Sequence, residues 1–179
     1  MKRLLVHVTW IHFVVSLIVF VFFLIVVLPA QALAFANVTS GSGSPDTSLF
    51  YTPAQFYAWA LEYGEVGRAH YIRTRFGFDL IWPLAYGAFF YTGIKIGGLR
   101  RREWLANLAI LTIFFDYMEN LFASVAMGLY PMVVSVIVYV AAVSTFLKWS
   151  TLSISGSLMI IGWIQFIINR WKGTKHAVD

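Results

Sequence analysis

The chain has 179 residues, of which 60% are hydrophobic and 12% are charged, and it contains no cysteine. A soluble domain of this size carries about 25% charged residues, so we expect an all-α, polytopic membrane protein with one transmembrane domain, residues 1–179. The lack of cysteine excludes disulfides, thiolate metal sites and cysteine catalysis. The net charge of +5 comes from short basic clusters beside apolar segments. Such clusters indicate membrane topology and not a nucleic-acid surface.

The first apolar segment, at about residues 4–30, is predicted to be a transmembrane helix. Its apolar run is longer than the 7–15 residues of a signal-peptide core, so we interpret it as uncleaved. It carries His7 and His12. We favour two neutral imidazoles that are hydrogen-bonded inside a helix bundle, with a haem or metal ligand as the alternative. No cofactor and no metal site is predicted.

Residues 37–75 form the predicted extracytoplasmic segment. Its first part, up to residue 48, is rich in glycine and serine and is predicted to be a flexible, solvated loop. Thr52 and Gln55 then match a capping box, with Pro53 at the first helical position. We predict a short aromatic helix from Pro53 to about residue 64. It either lies in the membrane interface or packs as an ordinary loop helix.

Two further membrane helices, at about residues 76–97 and 103–129, carry polar residues on one face. In the first of these helices, Asp79, Pro83 and Tyr86 share a face at steps of four and three. In the second helix the polar residues also recur at helical spacing: Thr112, Asp116, Glu119, Asn120 and Ser124. A polar stripe on an apolar helix is expected to face the bundle interior and not lipid.

The last apolar region is predicted to be one helix, at about residues 133–169, which gives four transmembrane helices in total. The alternative is two shorter helices with a turn at residues 148–150. One helix keeps the basic residues around positions 2–3, 100–102 and 170–175 on the same side of the membrane. It also keeps a continuous polar stripe: Ser144, Lys148, Thr151 and Ser155. We therefore expect a multi-pass protein of the bacterial inner membrane with both termini cytoplasmic.

The polar residues of these helices are predicted to meet in the outer half of a four-helix bundle. The helical rise of about 1.5 Å per residue places Asp79, Glu119 and Lys148 at similar depths. A lone lysine in hydrocarbon is costly, so we expect Lys148 to pair with Glu119 or Asp79. The candidate catalytic residues are Glu119, Asp79, Asp116 and Lys148. The candidate binding residues are Asn120, Tyr86, Arg73 and Arg75. An ion-pair network that only fixes helix register is the structural alternative.

The spacing of these residues resembles a group of small bacterial integral membrane proteins. The resemblance covers about residues 70–160 and is carried by three patterns: Phe78-Asp79 with Pro83 and Tyr86, Phe115-Asp116-Tyr117 with Glu119-Asn120, and Lys148-Trp149. It implies a four-helix architecture and no particular activity. The pattern is also similar to lipid hydrolases of the alkaline ceramidase type. Those enzymes need three histidines in membrane helices, and only His7 and His12 are available here, so the sequence does not favour a zinc hydrolase.

Three functions remain open from the sequence. The first is a site, open to the outer face, that binds or processes a lipid headgroup or a small polar molecule. The second is a proton-coupled carrier that uses the same carboxylates. The third is a non-catalytic subunit of a larger membrane complex. The expected partners are membrane lipids, together with a second copy in a homodimer or the subunits of a membrane complex.

Overall fold

The computed structural model describes residues 8–97 and 104–175, with side chains up to residue 172. Within these ranges the regular structure is helical and contains no strand, so the predicted all-α class is confirmed. The basic residues at positions 2–3 and 100–102, and also His7, lie outside the described residues. The main helices are α1 (Trp10–Thr39), α2 (Pro53–Glu62), α3 (Gly64–Arg75), α4 (Phe78–Ile96), α5 (Asn107–Gly128) and α6 (Ser135–Lys175).

Among the described residues, three helical stretches are long and apolar enough to cross a membrane: Trp10–Thr39, Trp104–Gly128 and Ser135–Lys172. These stretches support a helical membrane protein. Helix α4 is not among them, because Asp79, Pro83 and Lys95 make its 19 residues more polar.

Helix α1 is longer than predicted. It passes through Pro29 and ends at Thr39, followed by Ser40 in the left-handed region with a φ of 53°. A π-helical turn, Phe23–Val27, ends two residues before the proline. Such a turn changes the local hydrogen bonding where proline cannot donate. The predicted end near residue 30 and the predicted loop start at residue 37 were therefore wrong.

Helix α6 is continuous over 41 residues, which confirms the one-helix prediction for this region. Lys148 lies inside the helix, where the alternative would have required a turn. The predicted stripe also faces inward, since all four of its members are buried: Ser144, Lys148, Thr151 and Ser155. The missing glycine and proline around position 148 were thus a reliable signal.

Aromatic rings join α1 to α4. Phe20 lies 4.5 Å from Phe89 and 5.7 Å from Trp82 between ring centroids, and both pairs are stacked. Phe23 stacks on Trp82 and on Phe78 in the same way. Each such pair contributes about 0.5–1.5 kcal/mol beyond the burial of its area. This stack holds α1 against α4, while α4 and α6 both pack against α5.

Helices α2 and α3 cover the ends of α5 and α6 and form a small core there. Phe56 and Tyr57 of α2 are buried, and the Tyr57 hydroxyl accepts a hydrogen bond of 2.8 Å from the Val134 amide. The predicted capping box of Thr52 and Gln55 is present. Helix α2 is therefore a packed helix. Helix α3 was not predicted, because its polar composition has no clear apolar period. We call this part of the molecule the capped end.

Candidate functional site

A cavity of about 600 Å³ lies at the capped end. It is enclosed by the C-terminal half of α1, by helices α4 and α6, and by the loop at residues 41–47. We call it the capped-end cavity. Its charged and phenolic lining residues are Asp46, Tyr71, Arg75, Asp79, Tyr86, Asp116 and Lys148. Its large apolar and aromatic lining residues are Phe20, Leu24, Leu28, Phe35, Phe78, Trp82, Phe90, Trp149 and Leu152. The cavity thus combines an ionic region with an extended apolar wall.

Arg75 ties three parts of the chain together beside the cavity. Its Nη1 donates to Asp79 Oδ2 at 2.6 Å, across the break between α3 and α4. Its Nη2 lies 2.8 Å from Asp46 Oδ1 in the loop. The guanidinium also lies over the Tyr71 ring, 4.3 Å from the centroid. Burial alone would raise the pKa of Asp46. The positive charges of Arg75 and Lys148, together with hydrogen bonds from Ser44 and Arg75, hold that pKa below its ordinary value.

Lys148 pairs with Glu119 between α6 and α5. The Lys148 Nζ lies 2.5 Å from Glu119 Oε2, and both side chains are buried. The two residues come from the polar stripes that the sequence predicted, and the predicted contact is present. In a low-dielectric interior the loss of one partner would leave the other charge uncompensated. The pair therefore joins the buried faces of α5 and α6.

Asp116 accepts two hydrogen bonds from neutral groups. Among the described residues, no lysine or arginine is shown to form an ion pair with it. The Tyr86 hydroxyl donates to Asp116 Oδ2 at 2.6 Å, and Asn120 Nδ2 donates to Asp116 Oδ1 at 3.0 Å. Both donors suit a carboxylate, which only accepts hydrogen bonds. Because Tyr86 lies on α4 and the other two residues lie on α5, this network joins the two helices.

The structure brings most of the predicted site residues together. Five of them line the cavity: Arg75, Asp79, Tyr86, Asp116 and Lys148. Glu119 and Asn120 stand behind the lining, bonded to Lys148 and Asp116.

Arg73 is not among the residues that line the cavity, and its role as a binding residue stays a prediction. It is exposed, whereas Arg75 is buried. Two positions along a helix correspond to about 200° of rotation, so the two arginines point to opposite faces of α3.

The sequence reading missed the contribution of the loop. Asp46 was assigned to a solvated segment, yet its carboxylate binds Arg75 and its carbonyl accepts a hydrogen bond of 3.2 Å from Trp149 Nε1. The Tyr63 hydroxyl donates to the Gly43 carbonyl at 2.5 Å and holds the same loop. Glycine and serine content gave no signal for these long-range contacts.

The prediction that His12 is hydrogen-bonded inside the bundle was also wrong. His12 is exposed, and its Nδ1 lies 2.7 Å from the Thr9 hydroxyl at the start of α1, where it completes a capping box. Within Trp10–Phe22, Ser16 is the one buried residue, and its hydroxyl lies 2.8 Å from the Thr92 hydroxyl of α4. Within the described residues, no group of three or more His, Cys, Asp or Glu side chains is arranged to hold a metal ion.

Comparisons with known protein-family models, with curated proteins and with solved structures give no match.

Proposed function

We propose that this chain is a four-span membrane protein whose capped-end cavity binds an amphiphilic molecule. The polar headgroup would occupy the ionic region, and the hydrocarbon part would lie along the apolar wall. The observation that carries this proposal is the composition of the capped-end cavity, which joins buried charges to a wall of aromatic and aliphatic side chains. Its volume of about 600 Å³ falls in the range of about 300–1,000 Å³ that is typical of ligand pockets.

The depth of the charged residues supports a headgroup site. Asp79 lies 17 residues from Ile96 at the far end of α4, which corresponds to about 26 Å of helix. Glu119 lies 15 residues from Trp104 at the far end of its stretch, or about 22 Å. The hydrocarbon core of a bilayer is about 30 Å thick. The ionic region therefore lies near the boundary between hydrocarbon and headgroups when α4 crosses the membrane.

The length and the charge positions of helix α4 are suitable for a fourth membrane span. Its 19 residues correspond to about 28 Å of helix, and its charged residues, Asp79 and Lys95, lie near opposite ends. Asp79 is paired with Arg75, which offsets the cost of placing a carboxylate near hydrocarbon. The distribution of basic residues along the sequence supports an arrangement with the capped end on the outer side and both termini in the cytoplasm.

The proposal is tested by measuring the lipids that stay bound to the purified full-length chain in mild detergent. Native mass spectrometry is expected to show one tightly retained amphiphile. Leu152 lines the cavity, so Leu152→Trp would fill part of it and is expected to release the amphiphile. Ile154→Trp is the matched control, because Ile154 lies two positions away on the same helix and is 48% exposed.

Loss of the amphiphile in the Leu152 variant alone, with both variants equally folded by circular dichroism, would support the proposal. The proposal would fail if the parent chain retained no amphiphile. It would also fail if both tryptophan variants retained it as well as the parent.

A second candidate function, that of a subunit in a homodimer or a larger membrane complex, is favoured by the outer surface of α6. Exposed apolar side chains run from Val136, 72% exposed, to Trp171, 74% exposed. They span 35 residues, or about 52 Å of helix. A tilt of 40°, the upper end of the usual range, would cover only about 39 Å in a hydrocarbon core of about 30 Å. The part of this apolar surface that lies outside the hydrocarbon core would be buried by contact with another protein chain.

Light scattering in detergent would test this second candidate. The variant Val136→Lys/Val143→Lys is expected to lower the particle mass, with Leu49→Lys, in an exposed loop position, as the control. A parent particle with the mass of one chain and no copurifying subunit would contradict it.

A further inference from the structure

We infer that the headgroup bound in the capped-end cavity is that of an aminophospholipid, with a phosphate beside Arg75 and Tyr71 and a protonated amine beside Asp79 and Asp116. This inference rests on the proposed function and names the chemical class of its ligand. It depends on three features of the cavity: its balance of charged groups, the donors that lack acceptors, and the aromatic rings near the carboxylates.

Carboxyl groups outnumber basic groups in and directly behind the cavity lining. The carboxyl groups are Asp46, Asp79, Asp116 and Glu119, and the basic groups are Arg75 and Lys148. Both basic groups are already engaged, since Arg75 contacts two of the carboxylates and Lys148 contacts a third. An anion alone would add to the excess of negative charge. A ligand that also carries a cation would avoid this repulsion.

Asp79 and Asp116 are the carboxylates best suited to receive that cation. Both line the cavity. Asp116 holds only neutral donors, the phenol of Tyr86 and the amide of Asn120. Asp79 contacts Arg75 through Oδ2 alone. A primary ammonium has three N–H donors and could bond to both carboxylates.

Two buried donors of the lining point to a phosphate. Arg75 Nε and the Tyr71 hydroxyl have no hydrogen-bond partner among the described residues. Arg75 is 7% exposed and Tyr71 is 1% exposed, and both line the cavity. A buried donor without an acceptor costs about 1–3 kcal/mol. Phosphate oxygens would accept both donors, and arginine is a common phosphate ligand in proteins.

Aromatic rings near the carboxylates would favour a cation further. Trp82 and Trp149 line the cavity together with Tyr71. An ammonium over the face of such a ring gains about 0.5–2 kcal/mol, depending on its desolvation. The ring of Trp149 already lies 5.5 Å from the Lys148 ammonium. The apolar wall beyond these rings would receive the acyl chains.

The test is a binding titration of the delipidated full-length chain in detergent by native mass spectrometry. Its probes are phosphatidylethanolamine, phosphatidylglycerol and N-acetylated phosphatidylethanolamine, which keeps the phosphate and loses the cationic amine. We expect phosphatidylethanolamine to bind at least 10-fold more tightly than either of the other two lipids. Equal binding of the three lipids would overturn the inference, and this comparison needs no variant.

Two variants examine the assigned contacts. Asp79→Asn is expected to lower the preference for phosphatidylethanolamine over phosphatidylglycerol. Tyr71→Phe is expected to lower the binding affinity for both lipids by the same factor. Glu65→Gln, which removes an exposed carboxylate, is the control and is expected to change neither. An unchanged preference in a folded Asp79→Asn protein would overturn the assignment of the amine.

Two further arms separate the source of the ligand and the cause of a failure. Soluble glycerophosphoethanolamine that binds as tightly as the lipid would support the headgroup chemistry and assign it to a free molecule. A lipid that is displaced by Leu152→Trp but shows no headgroup preference would overturn this inference alone. The absence of any lipid displaced by Leu152→Trp would instead count against the proposed function.

Discussion

Gly87 of α4 faces Ile113 of α5 so closely that a Cβ at position 87 would lie 2.4 Å from Ile113 Cδ1 and 2.6 Å from its Cγ1. The two helices can therefore approach each other closely because Gly87 has no side chain. Tyr86, the preceding residue, reaches Asp116 of the same partner helix at 2.6 Å. The packing at Gly87 and the hydrogen bond in the site thus depend on the same helix spacing.

We expect Gly87→Ala to lower the stability of the folded chain by about 1–3 kcal/mol, the usual cost of overpacking. Thermal unfolding in detergent measures this. Gly156→Ala is the matched control, because its Cβ would meet only Phe90 at 3.7 Å, and alanine is the better helix former by about 1 kcal/mol. Adding Ile113→Ala to Gly87→Ala should recover part of the loss. A Gly87→Ala protein as stable as the parent would contradict the close contact.

Removal of one member of the Lys148–Glu119 pair is expected to cost more than removal of both. Lys148→Met leaves Glu119 buried without its ammonium, at a cost of about 3–5 kcal/mol for a broken buried pair. The double variant Lys148→Met/Glu119→Gln leaves no lone charge from the pair and should recover much of that loss. Unfolding temperatures of the three proteins measure the effect. A double variant no more stable than Lys148→Met would show that the pair does not stabilise the fold.

The contact between Asp46 and Arg75 should make the stability of the capped end depend on pH in the acid range. The pKa of Asp46 is lower in the folded chain than its ordinary value of 3.8. A carboxylate of this kind stabilises the fold fully above pH 3.8, and the contribution is lost as the pH falls through the folded-state pKa. Asp46→Asn should therefore be less stable than the parent at pH 7, by about 1.5–3 kcal/mol for a hydrogen bond to a charged group.

The difference between the parent and Asp46→Asn should narrow below pH 3.8. Unfolding temperatures of both proteins at pH 7 and pH 3 test this, with Glu65→Gln as the control for an exposed carboxylate. A gap of the same size at both pH values would contradict the role of the ionised Asp46.

The predicted topology can be tested with reporters fused after Asp179. We expect a reporter that works only in the cytoplasm to be active when it is fused after Asp179. The reason is that four spans return the chain to the side of the membrane on which it starts. The control is a fusion after Ser48, in the loop, where only a reporter of the outer side should be active. A C-terminal fusion active only on the outer side would reject four spans.

The polar stripes of α5 and α6 could be predicted from sequence because a buried polar face in an apolar helix has a clear period. Glu119 and Lys148 each lie on such a stripe, and the helical rise places them at similar depths, so their contact followed from one-dimensional information. The depth estimate did not predict the partner of Asp79, however. Asp79 contacts Arg75, four positions earlier in the chain, and not Lys148 of α6. A pair between residues so close in sequence does not depend on the depth of the two helices.

The contribution of the loop could not be predicted, because its contacts join residues far apart in the chain. Asp46 meets Trp149 of α6 more than one hundred residues later, and nothing in its local composition distinguishes it from a solvated aspartate. The position of Arg73 relative to the cavity could not be predicted either. It depends on the rotation of α3, a helix that the sequence did not predict and that puts Arg73 on an exposed face.

The 29 positions that separate Glu119 from Lys148 also bear on how the chain is made. During synthesis α5 emerges before α6, so for a time Glu119 and Asp116 have no ammonium from Lys148 nearby. A charge in a membrane helix costs up to about 2.5–3.5 kcal/mol, the value for the helix centre on insertion scales, and α5 carries two. We therefore expect α5 to enter the bilayer together with α6 as a helical hairpin, and nascent chains that end before position 148 to insert α5 poorly.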